Sequence, residues 1–105
     1  MSRIDLDGTV VAMTGASVGL GRSMSVALAR AGARVVLAAP EMHLLEAVAA
    51  EIDAAAGLGR AHAVRVDITN RADCERMLAE SIRRFGKLQV LVNKDRKSTR
   101  LNSSH

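Results

Sequence analysis

The segment Thr14-Gly15-Ala16-Ser17-Val18-Gly19-Leu20-Gly21-Arg22 constrains this chain more than any other. It follows the apolar run TVVAM and precedes a helical pattern. Glycines at 15, 19 and 21 let the backbone reverse sharply and come close to a ligand with no Cβ in the way. A helix opening after such a turn offers unpaired N–H groups and the positive end of its dipole, a setting suited to phosphate groups. The Ser17 hydroxyl adds a donor. A glycine-rich stretch by itself can be a plain turn. Its position between strand and helix favours the phosphate reading.

The rest of the chain alternates short apolar runs with helical patterns, as repeated strand–helix units do around a parallel sheet. The first strand is expected over Thr9 to Met13, and a helix over Leu20 to Ala31 with Leu20, Met24, Ala27, Leu28 and Ala31 on its apolar face. Gly32 ends that helix. Arg34 to Ala38 reads as the second strand. Pro40 is expected in the first turn of the second helix, where a missing N–H costs little. That helix carries Leu45, Val48, Ala49, Ile52 and Ala56. A third strand spans Ala61 to Val66. Asn70 is expected as the N-cap of a third helix, whose stripe is Cys74, Met77, Leu78, Ser81, Ile82 and Phe85. LQVLV, Leu88 to Val92, has the composition of a fourth, buried strand. With 1% aromatic residues, the core must come from small aliphatic side chains, which suits helices laid closely on a parallel sheet. Right-handed crossovers then give an α/β, doubly wound sheet of about four strands in the order 3-2-1-4 with three helices. Ligands bind such sheets beyond the strand carboxyl ends, where the winding reverses. Here that point lies between the first and fourth strands, near Gly15 and Asn93.

Spacing sharpens this reading. A G-x-G-x-x-G pattern fails, because its third glycine would fall on Met24. What stands is T-G-x-x-x-G-x-G, at Thr14, Gly15, Gly19 and Gly21. With VRVDIT around Asp67 and FGKLQVLVN ending at Asn93, this resembles the short-chain dehydrogenase/reductase family across residues 5 to 93. The resemblance implies a partial Rossmann-like fold and a nicotinamide dinucleotide cofactor. It assigns cofactor contacts to Gly15, Ser17, Val18, Gly19, Leu20 and Gly21 in the turn, to Ala39 at the end of the second strand, to Asp67 and Ile68 after the third, and to Asn93 after the fourth. In the family the acid at the Asp67 position hydrogen-bonds the adenine amino group; the bland alternative is a cap on a strand-to-helix turn. Asn93 is equally a tie between neighbouring strands and a cofactor neighbour. Arg22 reads as a solvated helix residue rather than a phosphate contact.

The resemblance leaves NAD versus NADP open. Members that prefer NAD place an acid at the end of the second strand; members that prefer NADP place a base one position later or within the turn. Here Ala39, Pro40 and Val18 stand at those positions. Glu41, close by, could hold a ribose or repel a 2′-phosphate.

The resemblance further implies hydride transfer between nicotinamide and a carbonyl or alcohol. A tyrosine serves as acid/base in that reaction, with a lysine four residues later and a serine that polarises the substrate oxygen. These 105 residues contain no tyrosine, so the chain as written is expected to be inactive, with no catalytic residue of its own. The alternative is a dinucleotide-binding module without catalysis. An intact parent would act on a small-molecule carbonyl or alcohol and be a homo-oligomer. Without its further strands, the fourth strand would be an uncovered apolar edge.

Charge points away from nucleic acid. Lys94, Arg96, Lys97 and Arg100 against Asp95 leave a net +3 in residues 94–105, so residues 1–93 hold only +1 of the chain's +4. Aromatic stacking residues are also missing. The string Asp95 to His105 matches an in-frame translation of a widely used sequencing adapter, and Lys94 takes the place of a second asparagine. Residues 1–93 are therefore read as the dinucleotide-binding domain, and 94–105 as an artefactual, disordered tail. Cys74 is expected in the core, and His43, His62 and His105 lack metal-ligand spacing. No membrane span or signal peptide is evident, and a cytoplasmic location is expected.

Overall fold

Alternation with a period of two sorts the strand residues onto opposite faces of a sheet. Val11, Met13, Val35, Leu37 and Ala39 join one buried cluster; Ala12, Val36 and Ala38 join another. The structure, a computed structural model, describes residues 5–93. The expectation for the 94–105 tail lies outside them, as does His105.

The elements follow in the order β1 (Val10–Thr14), α1 (Gly19–Arg30), β2 (Arg34–Ala39), α2 (Met42–Ala56), β3 (Ala61–Arg65), α3 (Arg71–Phe85) and β4 (Val90–Val92). The strands form a four-stranded sheet in the order β3-β2-β1-β4. All three pairings are parallel, with Ala12 opposite Val36 and Leu91, and Leu37 opposite Ala63. The expected architecture is the observed one, and strand ends differ from the expected ones by a residue or two.

Helices α1 and α2 cover one face. Leu45, Val48 and Ile52 of α2 are buried there against Met13, Val35 and Leu37. Each such side chain contributes roughly 1.5–3 kcal/mol when withdrawn from water. Helix α3 covers the other face through Met77, with Cys74 and Phe85 packed alongside. Cys74 is thus a partly buried packing residue, as expected.

Three helix details differ from the sequence reading. In α1 the side against the sheet is Gly21, Ser25 and Ala29, while Leu20 is exposed. Ala27 is exposed too, and Met24 and Leu28 are only partly buried. Small residues at i, i+4 and i+8 bring the helix axis close to the strands, a need that hydrophobicity alone does not register. The Ser25 hydroxyl is satisfied by donating to the Gly21 carbonyl at 2.8 Å.

Pro40 lies outside α2, whose N-cap is Glu41. In α3, Met77 and Ser81 are buried, but Leu78 and Ile82 are exposed. Strand β4 has the buried composition the sequence suggests but lies at the sheet edge, and Val90 and Leu91 are open to solvent, as expected of a fourth strand without further strands beside it.

The Asn70 cap is present: its Oδ1 accepts from the Asp73 amide at 3.1 Å. Gly86, with φ 87°, closes the helix in the left-handed region. Among the described residues, no helix is long and apolar enough to cross a membrane.

Candidate functional site

The site is assembled at the carboxyl ends of β1, β2, β3 and β4, and the glycine turn is its centre. Strand β1 stops at Thr14 because Gly15 turns the chain with φ 65°. The Ala16 amide then donates to the Ala38 carbonyl at 3.3 Å, which ties the turn to the end of β2. Ala16 is fully buried and Ser17 nearly so, so the turn is packed rather than loose.

Its other two glycines serve different ends. A Cβ on Gly21 would collide with the carbonyl oxygen of Gly15, so only glycine lets α1 sit this close to the turn. Gly19 has φ 59°, and no atom lies within 4 Å of where its Cβ would be. That space is open, and a side chain would enter it.

Helix α1 begins here without help from a side chain. Val18, its N-cap, is extended and forms no side-chain cap bond, and there is no acid in the first turn. The first amide to bond back is that of Arg22, to the Val18 carbonyl at 3.3 Å. The N–H groups of Gly19, Leu20 and Gly21 therefore have no partner within the helix. Together with the open space at Gly19, they form a cradle of backbone donors at the positive end of a helix dipole. Phosphate oxygens match that donor set, so the residues present fit the diphosphate of a dinucleotide.

Ser17 does something the sequence did not show. Its hydroxyl donates to Glu41 Oε1 at 3.1 Å, so the turn is linked to the N-cap of α2. Ala39 is buried in the core beneath that link. Arg22 points along the surface and pairs with Glu51 at 2.9 Å, in keeping with a solvated helix residue.

At the switch point, Thr14 Oγ1 donates to Asn93 Oδ1 at 2.8 Å. A second contact runs from the same hydroxyl to the Val92 carbonyl at 3.4 Å. Asn93 therefore ties β4 to β1 in this structure, the first of the two roles open to it. Sequence reasoning missed Thr14 as its partner; the neighbouring positions of β1 and β4 in the sheet order are the signal that pairs them.

Asp67 lies exposed after β3. Its Oδ1 accepts from the Thr69 amide at 2.9 Å and from the Thr69 hydroxyl at 2.6 Å. The Thr69 hydroxyl, then its amide, hold the Asp67 carboxyl below its ordinary value. The Asp67 amide in turn donates to Asp73 Oδ2 at 3.0 Å. That bond, and then Arg76, lower the Asp73 carboxyl. Asp67 thus performs the turn-capping role, while Oδ2 takes no protein hydrogen bond among the described residues. Val18, Leu20 and Ile68, all assigned to cofactor contact, are exposed apolar side chains near these strand ends. His62 pairs with Glu80 at 2.8 Å, and no cluster of metal-ligating side chains occurs among the described residues.

A parallel sheet in the order 3-2-1-4, with a glycine turn and bare helix N-terminus at its switch point, defines a Rossmann-like α/β protein. The sequence matches the short chain dehydrogenase family over residues 9–94. A sorbitol dehydrogenase of Cereibacter sphaeroides is 39% identical over 88 residues, covering 84% of this chain and 32% of that protein. An 11-beta-hydroxysteroid dehydrogenase A of Sesamum indicum is 40% identical over 91 residues, covering 85% of this chain and 25% of the relative. Among solved structures, a glucose dehydrogenase of Caenorhabditis elegans in its apo form superposes with a TM-score of 0.82 at 33% identity. That match covers 92% of this chain and 40% of the other. The chain belongs to the short chain dehydrogenase family. It spans a third or less of the length of these curated relatives.

Proposed function

We propose that this chain is the dinucleotide-binding part of an NAD(P)-dependent oxidoreductase. The observation that carries the proposal is the cradle at Gly19: open space, a left-handed glycine and three amides with no partner in the helix. Family membership supports it, as does a related C. elegans short-chain dehydrogenase/reductase of unknown function solved with cofactor, 25% identical with a TM-score of 0.77. When bound, the nicotinamide dinucleotide supplies the hydride donor or acceptor.

The chain's own residues bind and orient. The amides of Gly19, Leu20 and Gly21 hold the diphosphate. Asp67 Oδ2 accepts from the adenine amino group while Oδ1 keeps its turn bonds. Ile68 and Val18 flank the adenosine half. Asn93, held by the Thr14 hydroxyl, would fix the end of β4 beside the bound cofactor.

Proton transfer to a small-molecule carbonyl or alcohol lies beyond these 105 residues, which contain no tyrosine to act as the acid. On this reading residues 1–93 are the functional unit, the chain as it stands binds cofactor without turning over, and an intact enzyme, expected to assemble as a homo-oligomer in the cytoplasm, supplies the chemistry.

Calorimetric titration of the full chain with NADH tests this. Gly19→Ala forces a side chain into the left-handed region and into the cradle, and it is expected to weaken binding at least tenfold, about 1.4 kcal/mol. Unchanged affinity in a folded Gly19→Ala variant would contradict the proposal.

A further inference from the structure

We infer that the amino ends of the strands, opposite the glycine turn, hold a second anion site that takes a compact phosphate or diphosphate group. The inference does not depend on the dinucleotide reading.

Each crossover of a doubly wound sheet returns the chain to the strand amino ends, so residues far apart in sequence meet there. Arg34 opens β2, Gly59 lies just before β3, and Lys87 lies between α3 and β4. With Gly8, Arg84 and Phe85 they line a cavity of about 400 Å³. No atom lies within 4 Å of where a Cβ on Gly8 would stand, so the cavity is open on that side.

Arg34, Arg84 and Lys87 are cations, and no acid lines the cavity. None of the three forms an ion pair among the described residues, with Asp7 beside Gly8 or with any other acid. Glu80, on the same helix as Arg84, is engaged by His62 and Arg83.

A basic side chain on an ordinary surface is free to turn away from others like it. Here neutral groups hold the cations in place. Arg34 Nη1 donates to the Gly32 carbonyl at 3.3 Å, and Arg60 Nη1 donates to the same oxygen at 3.2 Å. Two guanidinium groups thus converge on one carbonyl. The Arg84 guanidinium lies 5.0 Å from the centre of the Phe85 ring, as a cation over an aromatic face does. A carbonyl and a ring orient a guanidinium without cancelling its charge, so like charges are kept close and repel. An anion in the cavity relieves that repulsion, and the guanidinium fork matches phosphate oxygens in geometry.

The test is titration of isotope-labelled full chain with sodium pyrophosphate at low ionic strength, with amide shifts followed residue by residue. It is repeated on an Arg84→Gln, Lys87→Gln double variant and on Gly19→Ala, with circular dichroism to check folding. Saturable shifts are expected at Gly8, Gly59 and Lys87, and they should weaken as salt is added. The double variant should lose affinity there by about tenfold or more. Gly19→Ala should leave those shifts unchanged, which separates this site from the glycine turn. Sedimentation with vesicles of phosphatidylcholine and phosphatidic acid identifies the source of the phosphate. A lipid headgroup carries down the wild-type chain but not the double variant, whereas a free anion leaves the two partitioning alike.

Absence of saturable shifts at Gly8, Gly59 and Lys87 would overturn the inference. So would shifts confined to the glycine turn or to residues 94–105, or unchanged affinity in the folded double variant. If that variant does not fold, the location of the wild-type shifts decides.

Discussion

The two faces of the sheet bury their helices very differently. On the face covered by α1 and α2, Leu45 and Ile52 are completely buried and Val48 nearly so. On the α3 face, Met77 is buried, but Leu78 is 43% exposed and Ile82 55% exposed. At the β4 edge of the same sheet, Val90 and Leu91 are also open. Periodicity tells which side of a helix is apolar; it does not tell how wide a surface waits for it. Two adjacent helices wall each other in, whereas a lone helix meets the sheet along one line and leaves the flanks of its stripe in water. The glycine site belongs with the closed face: α1 leaves the turn directly onto the sheet, and Ala16 and Ser17 share in its packing.

This contrast predicts a graded response to substitution, read as thermal or denaturant unfolding of the full chain. Ile52→Ala on the closed face leaves a cavity with no solvent to fill it and is expected to cost about 2–5 kcal/mol. A loss below about 1 kcal/mol would mean that the closed face is loosely packed. Asn70→Ala, at the start of α3, removes the bond to the Asp73 amide and should cost about 1 kcal/mol. Ile82→Ser, at the exposed flank of α3, is expected to change stability by no more than about 0.5 kcal/mol in either direction. A large loss there would show that Ile82 is covered in solution, and the contrast between the faces would disappear.

Much of the fold was legible in the residues themselves. Strand–helix alternation and the handedness of crossovers led to the sheet order that is observed. The Asn70 cap was readable because a polar cap acts within a few residues of its own position. The errors have a common cause. Leu20, Leu78 and Ile82 were placed inward because they are large and apolar, while Gly21, Ser25 and Ala29 do the facing in α1 because close approach to a sheet favours small side chains. That preference comes from the partner surface and leaves little trace in hydrophobicity.

The candidate site divides in the same way. The glycines at 15, 19 and 21 were recognisable from spacing, since each performs a backbone task that other residues perform poorly. The bond from Ser17 to Glu41 and the bond from Thr14 to Asn93 were not, because each joins residues far apart in sequence across strand ends. They emerge only when the sheet brings those ends together.

The central claim is that backbone amides of the glycine turn receive a diphosphate. Isotope-labelled full chain titrated with NADH, with amide shifts followed residue by residue, tests it most directly. The largest changes are predicted at Gly15 to Gly21, with smaller ones near Glu41, Asp67 and Asn93 and almost none along α3 at Leu78 and Ile82. Saturable shifts that concentrate on the open α3 face while the turn amides stay still would contradict the account.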